Sequence, residues 1–196
     1  LAALFHGRTV NVSNIAREAG VARTTAAGYL EILEETLLCF RLPAYEARLR
    51  VRERKLPKWY WCDPGVARVM KRTTAPLAPE ERGALFEGMV AQLIRAYKDY
   101  RLICDDMYYW APSGRSEIEV DFLLVRGANL IAVEAKSGAT FRDDWCKGLR
   151  AVAKLEGLQR RIVVYPDGPV MKTQDGIDAL PFRRFAEELA SDALWK

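Results

Sequence analysis

The sequence predicts a mixed α/β protein with a helix-turn-helix domain followed by a domain built around a central β-hairpin. Two amphipathic segments flank Gly20, two β-rich apolar runs flank a short Gly/Asn turn at 126–129, and a stretch with two prolines at 73–79 separates these regions. With 196 residues, half of them hydrophobic, the chain is long enough for two small cores. We place the domains at residues 1–75 and 76–196.

The first domain begins with a helix-turn-helix pattern. Ser13 is a good N-cap for a helix over residues 14–19, and Gly20 ends it. A second helix is predicted from Arg23 to Glu35, with apolar residues at helical spacing. The N-terminal residues of such a second helix face a DNA major groove, and here they are Arg23, Thr24 and Thr25. The alternative is a module that only packs or contacts protein.

A basic, strictly alternating segment follows at residues 48–54. A period of two places four arginines on one face of a strand, with two lysines beyond it: Arg48, Arg50, Arg52, Arg54, Lys55 and Lys58. This pattern predicts the wing of a winged helix, and its charges suit the phosphates of nucleic acid. The alternative is a solvated edge strand whose charges prevent aggregation. The aromatic run Trp59-Tyr60-Trp61 is predicted to be a core strand.

The second domain is predicted to begin with a long helix from Glu80 to about Tyr100. Glu87 lies at the edge of its apolar stripe, where a carboxylate needs a polar partner. The alternative is an ordinary surface charge. Later elements are a strand at 108–110, a helix at 141–155, a buried strand at 161–165 and a closing helix at 182–194.

The hairpin between residues 117 and 138 contains the candidate metal-binding and catalytic residues. With a four-residue loop at 126–129, Val125 pairs with Leu130, Leu123 with Ala132, Asp121 with Glu134, and Glu119 with Lys136. Opposed Cβ atoms are about 5 Å apart, and like charges placed there destabilise a sheet unless something neutralises them. Mg²⁺ or Mn²⁺ held between Asp121 and Glu134 would do so. Lys136 beside them completes an arrangement suited to metal-assisted phosphodiester hydrolysis.

These residues also resemble a known family. Val120-Asp121 followed by Glu134-Ala135-Lys136 is similar to the Asp…(Asp/Glu)-x-Lys motif of the restriction-endonuclease-like nuclease fold, without the usual proline before the aspartate. Most of the chain resembles the C-terminal portion of predicted prokaryotic AAA+ superfamily ATPases, in which a winged helix precedes a nuclease-like domain. Besides the hairpin, the resembling segments are 14–21, Tyr29-Leu30, Leu56-Pro57-Lys58, 63–66 and Phe86-Glu87.

The resemblance implies a restriction-endonuclease-like mixed β-sheet flanked by helices, with DNA as substrate. It also implies that Glu87 joins Asp121 and Glu134 as a metal ligand or orienting group. The chain contains no phosphate-binding loop of the form G-x-x-x-x-G-K-[ST], so ATP would act only through an ATPase module upstream of Leu1. We therefore expect the chain to be a piece of a longer protein.

The composition of the chain limits the possible functions further. The formal net charge of +4 is compatible with nucleic acid as a partner. Four scattered cysteines and a single histidine, His6, argue against a structural zinc site, a Ser-His-Asp triad and a Cys-His dyad. No apolar run is long enough for a membrane span and no signal peptide is recognisable, so we expect a cytoplasmic location.

Three hypotheses follow from the sequence. The first is a divalent-metal-dependent DNA nuclease in which Glu87, Asp121, Glu134 and Lys136 act together. The second is a catalytically inactive nuclease-like module that binds nucleic acid or protein for the ATPase. The third is a structural module in which Glu119 and Lys136 form a cross-strand ion pair and the acidic residues are solvated. The retention of all the expected acidic and basic positions favours the first two.

Overall fold

The structure, a computed structural model, describes residues 1–47, 52–73, 75–113 and 118–196. It divides into two compact units. The N-terminal unit comprises residues 1–43 and 56–92, and the C-terminal unit comprises residues 44–55 and 93–196. Segment 44–55 therefore packs with the C-terminal unit, although the sequence pattern assigned it to the first domain. The predicted limits 1–75 and 76–196 remain a prediction about domain organisation.

The helices of the N-terminal unit include α1 (Val12–Ala19), α2 (Arg23–Glu35) and α3 (Pro64–Met70), of which α1 and α2 follow the predicted helix-turn-helix pattern closely. Asn11, and not Ser13 as predicted, caps α1, because its side chain accepts from the backbone N–H groups of Ser13 and Asn14. Gly20 ends α1 with a left-handed φ of 68°. The bounds of α2 are those predicted.

The sheet of the N-terminal unit has three antiparallel strands, β1 (Arg8–Thr9), β2 (Cys39–Leu42) and β3 (Lys58–Trp61), in the order β1-β3-β2. Trp59 and Trp61 are buried against a core that includes Ile15, Leu30 and Cys39. The predicted core role of the aromatic run is confirmed.

The predicted basic wing is only partly within the described residues. Arg48 and Arg50 lie outside them. The described part, residues 52–55, forms no regular strand and makes a single bridge between Glu53 and Pro112. The expectation of an alternating strand over residues 52–54 was wrong, because the segment pairs with the end of a strand far away in sequence.

His6 gives the N-terminal unit a pH-dependent stability. Its ring is buried, and Nδ1 accepts from the Trp61 backbone N–H at 3.2 Å. Burial, aided by the positive charge of Lys71, lowers the pKa of His6 from 6.5 to about 4. The folded chain therefore binds fewer protons than the unfolded chain between these values. The stabilising contribution is complete above the unfolded pKa and is lost as the pH falls towards 4.

We expect wild type to lose about 3 kcal/mol of unfolding free energy from this group between pH 7.5 and pH 4. The His6→Asn variant keeps an acceptor for the Trp61 N–H but has no titrating ring. Urea unfolding across this pH range should show a smaller pH dependence in the variant than in wild type. Equal pH dependence of the two proteins would contradict the prediction.

The C-terminal unit contains a six-stranded mixed sheet in the order β4-β5-β6-β7-β9-β8. Its strands are β4 (Asp106–Trp110), β5 (Val120–Arg126), β6 (Asn129–Ala135), β7 (Leu158–Tyr165), β8 (Met171–Lys172) and β9 (Asp178–Pro181). The pairs β6-β7 and β7-β9 are parallel, and the other pairs are antiparallel. The predicted mixed α/β class is confirmed.

The remaining helices are α4 (Pro79–Arg101), α5 (Lys147–Ala151) and α6 (Phe182–Ala190). Helix α4 contributes residues to both units. In the described part of the chain, no helix combines the length and the apolar character needed to cross a membrane.

The hairpin of β5 and β6 has the predicted register. Leu123 pairs with Ala132 and Val125 with Leu130. Arg126 also pairs with Asn129, so the turn is the two residues Gly127-Ala128 and not the four that we predicted. Gly127 has a φ of 58°, which suits the first central position of a tight hairpin turn.

The helix predicted at 141–155 is much shorter in the structure. A one-turn 3₁₀ helix, Asp143–Cys146, leads into α5, and α5 ends at Ala151. Gly148, within α5, has a low helix propensity, and it allows a close backbone approach that is described below. Leu149 and Val152 still reach the core formed by the sheet.

Candidate metal centre

Two buried carboxylates lie on the hairpin. Asp121, the second residue of β5, is 5% exposed, and its Oδ2 accepts from the Ala135 backbone N–H at 2.9 Å. Glu134, near the end of β6, is 4% exposed. Phe122 pairs with Val133, so the same register continued by one residue sets Asp121 opposite Glu134. The hairpin therefore brings together two of the predicted site residues.

Lys136 follows directly after β6. Its Nζ lies 2.5 Å from Glu134 Oε1, and its backbone N–H donates to the Val164 carbonyl at 2.9 Å. The backbone bond fixes the lysine to the neighbouring strand β7. Its side chain is 36% exposed, so the ammonium group is both held by a buried carboxylate and accessible from solvent. Lys136 thus forms an ion pair with Glu134. The predicted cross-strand position of Lys136 opposite Glu119 remains a prediction.

Glu119 is a site residue that the sequence reasoning did not assign as a metal ligand. One of its carboxylate oxygens lies within 4.8 Å of an Asp121 carboxylate oxygen. Its Oε2 is 3.4 Å from Arg54 Nη1. The signal was present in the sequence, because residues 119 and 121 share one face of a strand with period two. We had instead assigned that face to a pair with Lys136.

A cavity of about 310 Å³ opens beside these residues. Its lining joins the end of the hairpin to the segment that leads into α5: Glu119, Glu134, Lys136, Asp144, Trp145, Lys147 and Gly148. Lys147 is exposed there. Carboxylates and ammonium groups thus line the same cavity of the C-terminal unit.

Gly148 permits α5 to approach the strand that carries the site. A Cβ at this position would lie 1.7 Å from the Glu119 carbonyl oxygen and 2.7 Å from its carbonyl carbon. No side chain fits without movement of backbone, so glycine is required by close approach. The position of Glu119 therefore depends on a glycine 29 residues further along the chain.

Glu87 lies on the part of α4 that belongs to the N-terminal unit. Its Oε1 accepts from Lys58 Nζ at 2.8 Å and from the Tyr60 hydroxyl. The polar partner that we expected for this carboxylate is therefore present. Its role in a metal site remains a prediction.

The residues predicted to contact nucleic acid differ in their exposure to solvent. Arg23, Thr24 and Thr25 are exposed at the start of α2, as a contact surface requires. Arg52 and Lys55 are exposed as well. Lys58 is 3% exposed and ion-paired with Glu87, so its placement differs from the surface position that we expected. Its partner lies 29 residues away and could not be recognised from local sequence.

Three of the four cysteines and the single histidine are buried in the described structure. Burial raises the pKa of Cys39 to about 12 and the pKa values of Cys104 and Cys146 to about 11. These thiols stay protonated at neutral pH and are poor nucleophiles. His6, with a pKa lowered to about 4, is buried and neutral.

The acidic residues of the hairpin form a donor set for a hard cation. Mg²⁺ and Mn²⁺ favour carboxylate oxygens, and Glu119 and Asp121 each offer one within the separation that a shared ion requires. The cluster could therefore hold a divalent metal.

Comparison with known families gives a direct match. A profile described as "Domain of unknown function (DUF4143)" matches residues 82–185, just over half of the chain. The chain belongs to the DUF4143 family. A second profile, described as "Domain of unknown function (DUF8612)", matches residues 1–77 of this DUF4143 chain.

Relatives among curated proteins include the uncharacterized protein Rv2008c of Mycobacterium tuberculosis and the uncharacterized protein Mb2031c of Mycobacterium bovis. Each is 27% identical to the DUF4143 chain over 180 residues, which cover 90% of it and 39% of the relative. The chain thus spans well under half the length of these relatives. A solved structure of protein VC1899 from Vibrio cholerae matches with a TM-score of 0.41 and 15% identity, covering 91% of this chain and 43% of that one.

Proposed function

We propose that this DUF4143 chain carries a divalent-metal-dependent phosphodiesterase site that acts on DNA. One observation supports the proposal above the others: the hairpin register sets buried Asp121 opposite buried Glu134, and Lys136 lies 2.5 Å from Glu134. Buried carboxylates are costly unless they are paired or bind a cation. Glu134 and Lys136 line a solvent-accessible cavity, which favours a binding role over a purely structural one.

Asp121 and Glu134 would hold the metal, with Glu119 as a further carboxylate ligand. Glu87 joins them as a ligand or orienting group in the arrangement that the family resemblance implies. When bound, Mg²⁺ or Mn²⁺ would polarise a phosphoryl oxygen and lower the pKa of a coordinated water.

Lys136 contributes positive charge next to this centre. The Glu134 carboxylate orients its ammonium group, and its partial exposure allows contact with a substrate phosphate or with the attacking water. A fixed cation there stabilises the charge that develops on the phosphoryl oxygens. Lys147, an exposed residue in the lining of the same cavity, offers a second contact for backbone phosphate.

We propose roles for the N-terminal unit and for the part of the full-length protein that lies outside this chain. The N-terminal helices and sheet act as a winged helix in which Arg23, Thr24 and Thr25 approach duplex DNA, and the C-terminal sheet belongs to the restriction-endonuclease-like fold. The relatives are much longer than this chain. We propose that an AAA+ ATPase module lies upstream in the full-length cytoplasmic protein, and that ATP acts only through it.

A second function, an inactive accessory module that docks a protein, is favoured by one surface. Tyr29 and Ile32 of α2 are 63% and 53% exposed, beside the exposed carboxylates of Glu31 and Glu35. Apolar side chains grouped on an exposed helix face are more typical of a protein contact than of a DNA contact. The acidic residues also oppose phosphate at this end of α2.

DNA cleavage distinguishes these functions. We expect wild type to nick plasmid or cut branched DNA with Mg²⁺ or Mn²⁺, and Asp121→Asn, which keeps an acceptor for the Ala135 N–H, to lose at least about a hundredfold in rate. The control is Asp192→Asn, at an exposed aspartate with a φ of 54° that asparagine also adopts. Equal cleavage by Asp121→Asn would reject the site. Metal binding without cleavage would favour the accessory module.

A further inference from the structure

Arg54 reaches the acidic cluster from a segment that the sequence pattern had assigned elsewhere. Its backbone N–H donates to the Ala111 carbonyl at 2.9 Å. The preceding residue, Glu53, accepts from the Trp110 indole N–H at 2.8 Å, and its carbonyl accepts from the Ser113 hydroxyl at 2.7 Å. These bonds fix residues 53 and 54 to the end of β4 within the C-terminal unit. These hydrogen bonds therefore fix the backbone position of Arg54.

The guanidinium of Arg54 forms an ion pair with Glu119, a carboxylate of the candidate centre. Nη1 is 3.4 Å from Glu119 Oε2, and the two side chains are 33% and 24% exposed. Glu119 in turn has an oxygen within 4.8 Å of an Asp121 oxygen. Arg54 thus partly neutralises Glu119, whose negative charge lies close to that of Asp121.

A cation that binds Glu119 and Asp121 must compete with this guanidinium for Glu119. The two positive groups repel each other at such short range. Turned away from Glu119, the planar guanidinium presents several N–H donors that match the geometry of a phosphate. Its partial exposure and its anchored backbone keep it at the mouth of the same site.

We propose that Arg54 is the internal counter-ion of this centre: it competes with the divalent cation for Glu119 and donates to a DNA phosphate when the cation takes its place. Metal loading and phosphate binding are thereby coupled through one side chain. This inference rests on the proposed metal-dependent function and deepens it. It requires that loss of Arg54 affects metal binding and DNA binding in opposite directions.

The test measures Mn²⁺ binding by electron paramagnetic resonance without DNA, and binding of duplex DNA in Mg²⁺ at several salt concentrations. We expect Arg54→Met to bind Mn²⁺ about three to ten times more tightly than wild type, because a competing charge is gone. It should bind DNA about tenfold more weakly, with a salt slope smaller by about one. Arg54→Lys, which keeps the charge, should bind Mn²⁺ with nearly wild-type affinity.

Lys55→Met is the matched control. Lys55 is the next residue, carries the same charge, is 77% exposed, and pairs at 3.4 Å with Glu46, which is not one of the carboxylates of the centre. Its loss should leave Mn²⁺ affinity unchanged. Unchanged or weaker Mn²⁺ binding by folded Arg54→Met, with wild type binding normally, would overturn the counter-ion role alone. Failure of wild type and Arg54→Met alike to bind Mn²⁺ would overturn both this role and the proposed metal site.

Discussion

The Glu134→Gln variant should lose the stabilisation that Mn²⁺ or Mg²⁺ gives to wild type. A ligand at one hundred times its dissociation constant stabilises the native state by about 2.7 kcal/mol, provided that it binds only the folded chain. Glutamine keeps the size of the side chain but removes the negative charge opposite Asp121. It also removes the negative charge that lies 2.5 Å from the Lys136 ammonium, so repulsion of an incoming cation increases.

Thermal unfolding over a metal titration measures this effect. We expect a rise in the melting temperature of wild type with metal concentration and a nearly flat response in Glu134→Gln. Glu156→Gln is the control, since Glu156 is exposed and lies outside the lining of the cavity. An equal metal response in Glu134→Gln and Glu156→Gln would show that Glu134 does not bind the cation.

The Gly148→Ala variant should be destabilised by about 3 kcal/mol, as severe overpacking at a fixed backbone contact requires. The new Cβ would lie 1.7 Å from the Glu119 carbonyl oxygen, and neither α5 nor the start of β5 can move without disturbing the packing of Leu149 and Val120. Any movement that relieves the contact also displaces Glu119. We therefore expect weaker metal binding as well as lower stability, measured by urea unfolding and Mn²⁺ titration.

Gly28→Ala provides the contrast within a helix. A Cβ at Gly28, in the middle of α2, meets no atom within 4 Å. Alanine there should stabilise the protein by up to about 1 kcal/mol, because it favours the helical conformation. If Gly148→Ala were as stable as Gly28→Ala, the close approach of α5 to Glu119 would not exist in solution.

Local patterns predicted the elements that depend on short-range interactions. The alternation and the turn of the hairpin fix its register, so the positions of Asp121 and Glu134 followed from the sequence. Helix α2 was predicted with its observed bounds, since apolar spacing and the glycine turn before it are local signals.

Contacts between distant segments could not be predicted in this way. The alternating arginines favoured a local strand, whereas hydrogen bonds to Ala111 and Ser113 attach residues 52–54 to β4. The burial of Lys58 depends on its ion pair with Glu87, and the backbone of α5 approaches Glu119 closely at Gly148. The sequence therefore predicted the carboxylate pair of the candidate site but not Arg54 beside it.

Anomalous scattering from a crystal soaked in millimolar Mn²⁺ tests the central claim most directly. We predict a peak about 2.1 Å from a carboxylate oxygen of Asp121, with Glu119 or Glu134 among the other ligands. The same peak should be absent from crystals of Asp121→Asn. A fully soaked wild-type crystal without a peak at Asp121 would contradict the metal centre, and with it the proposed phosphodiesterase function.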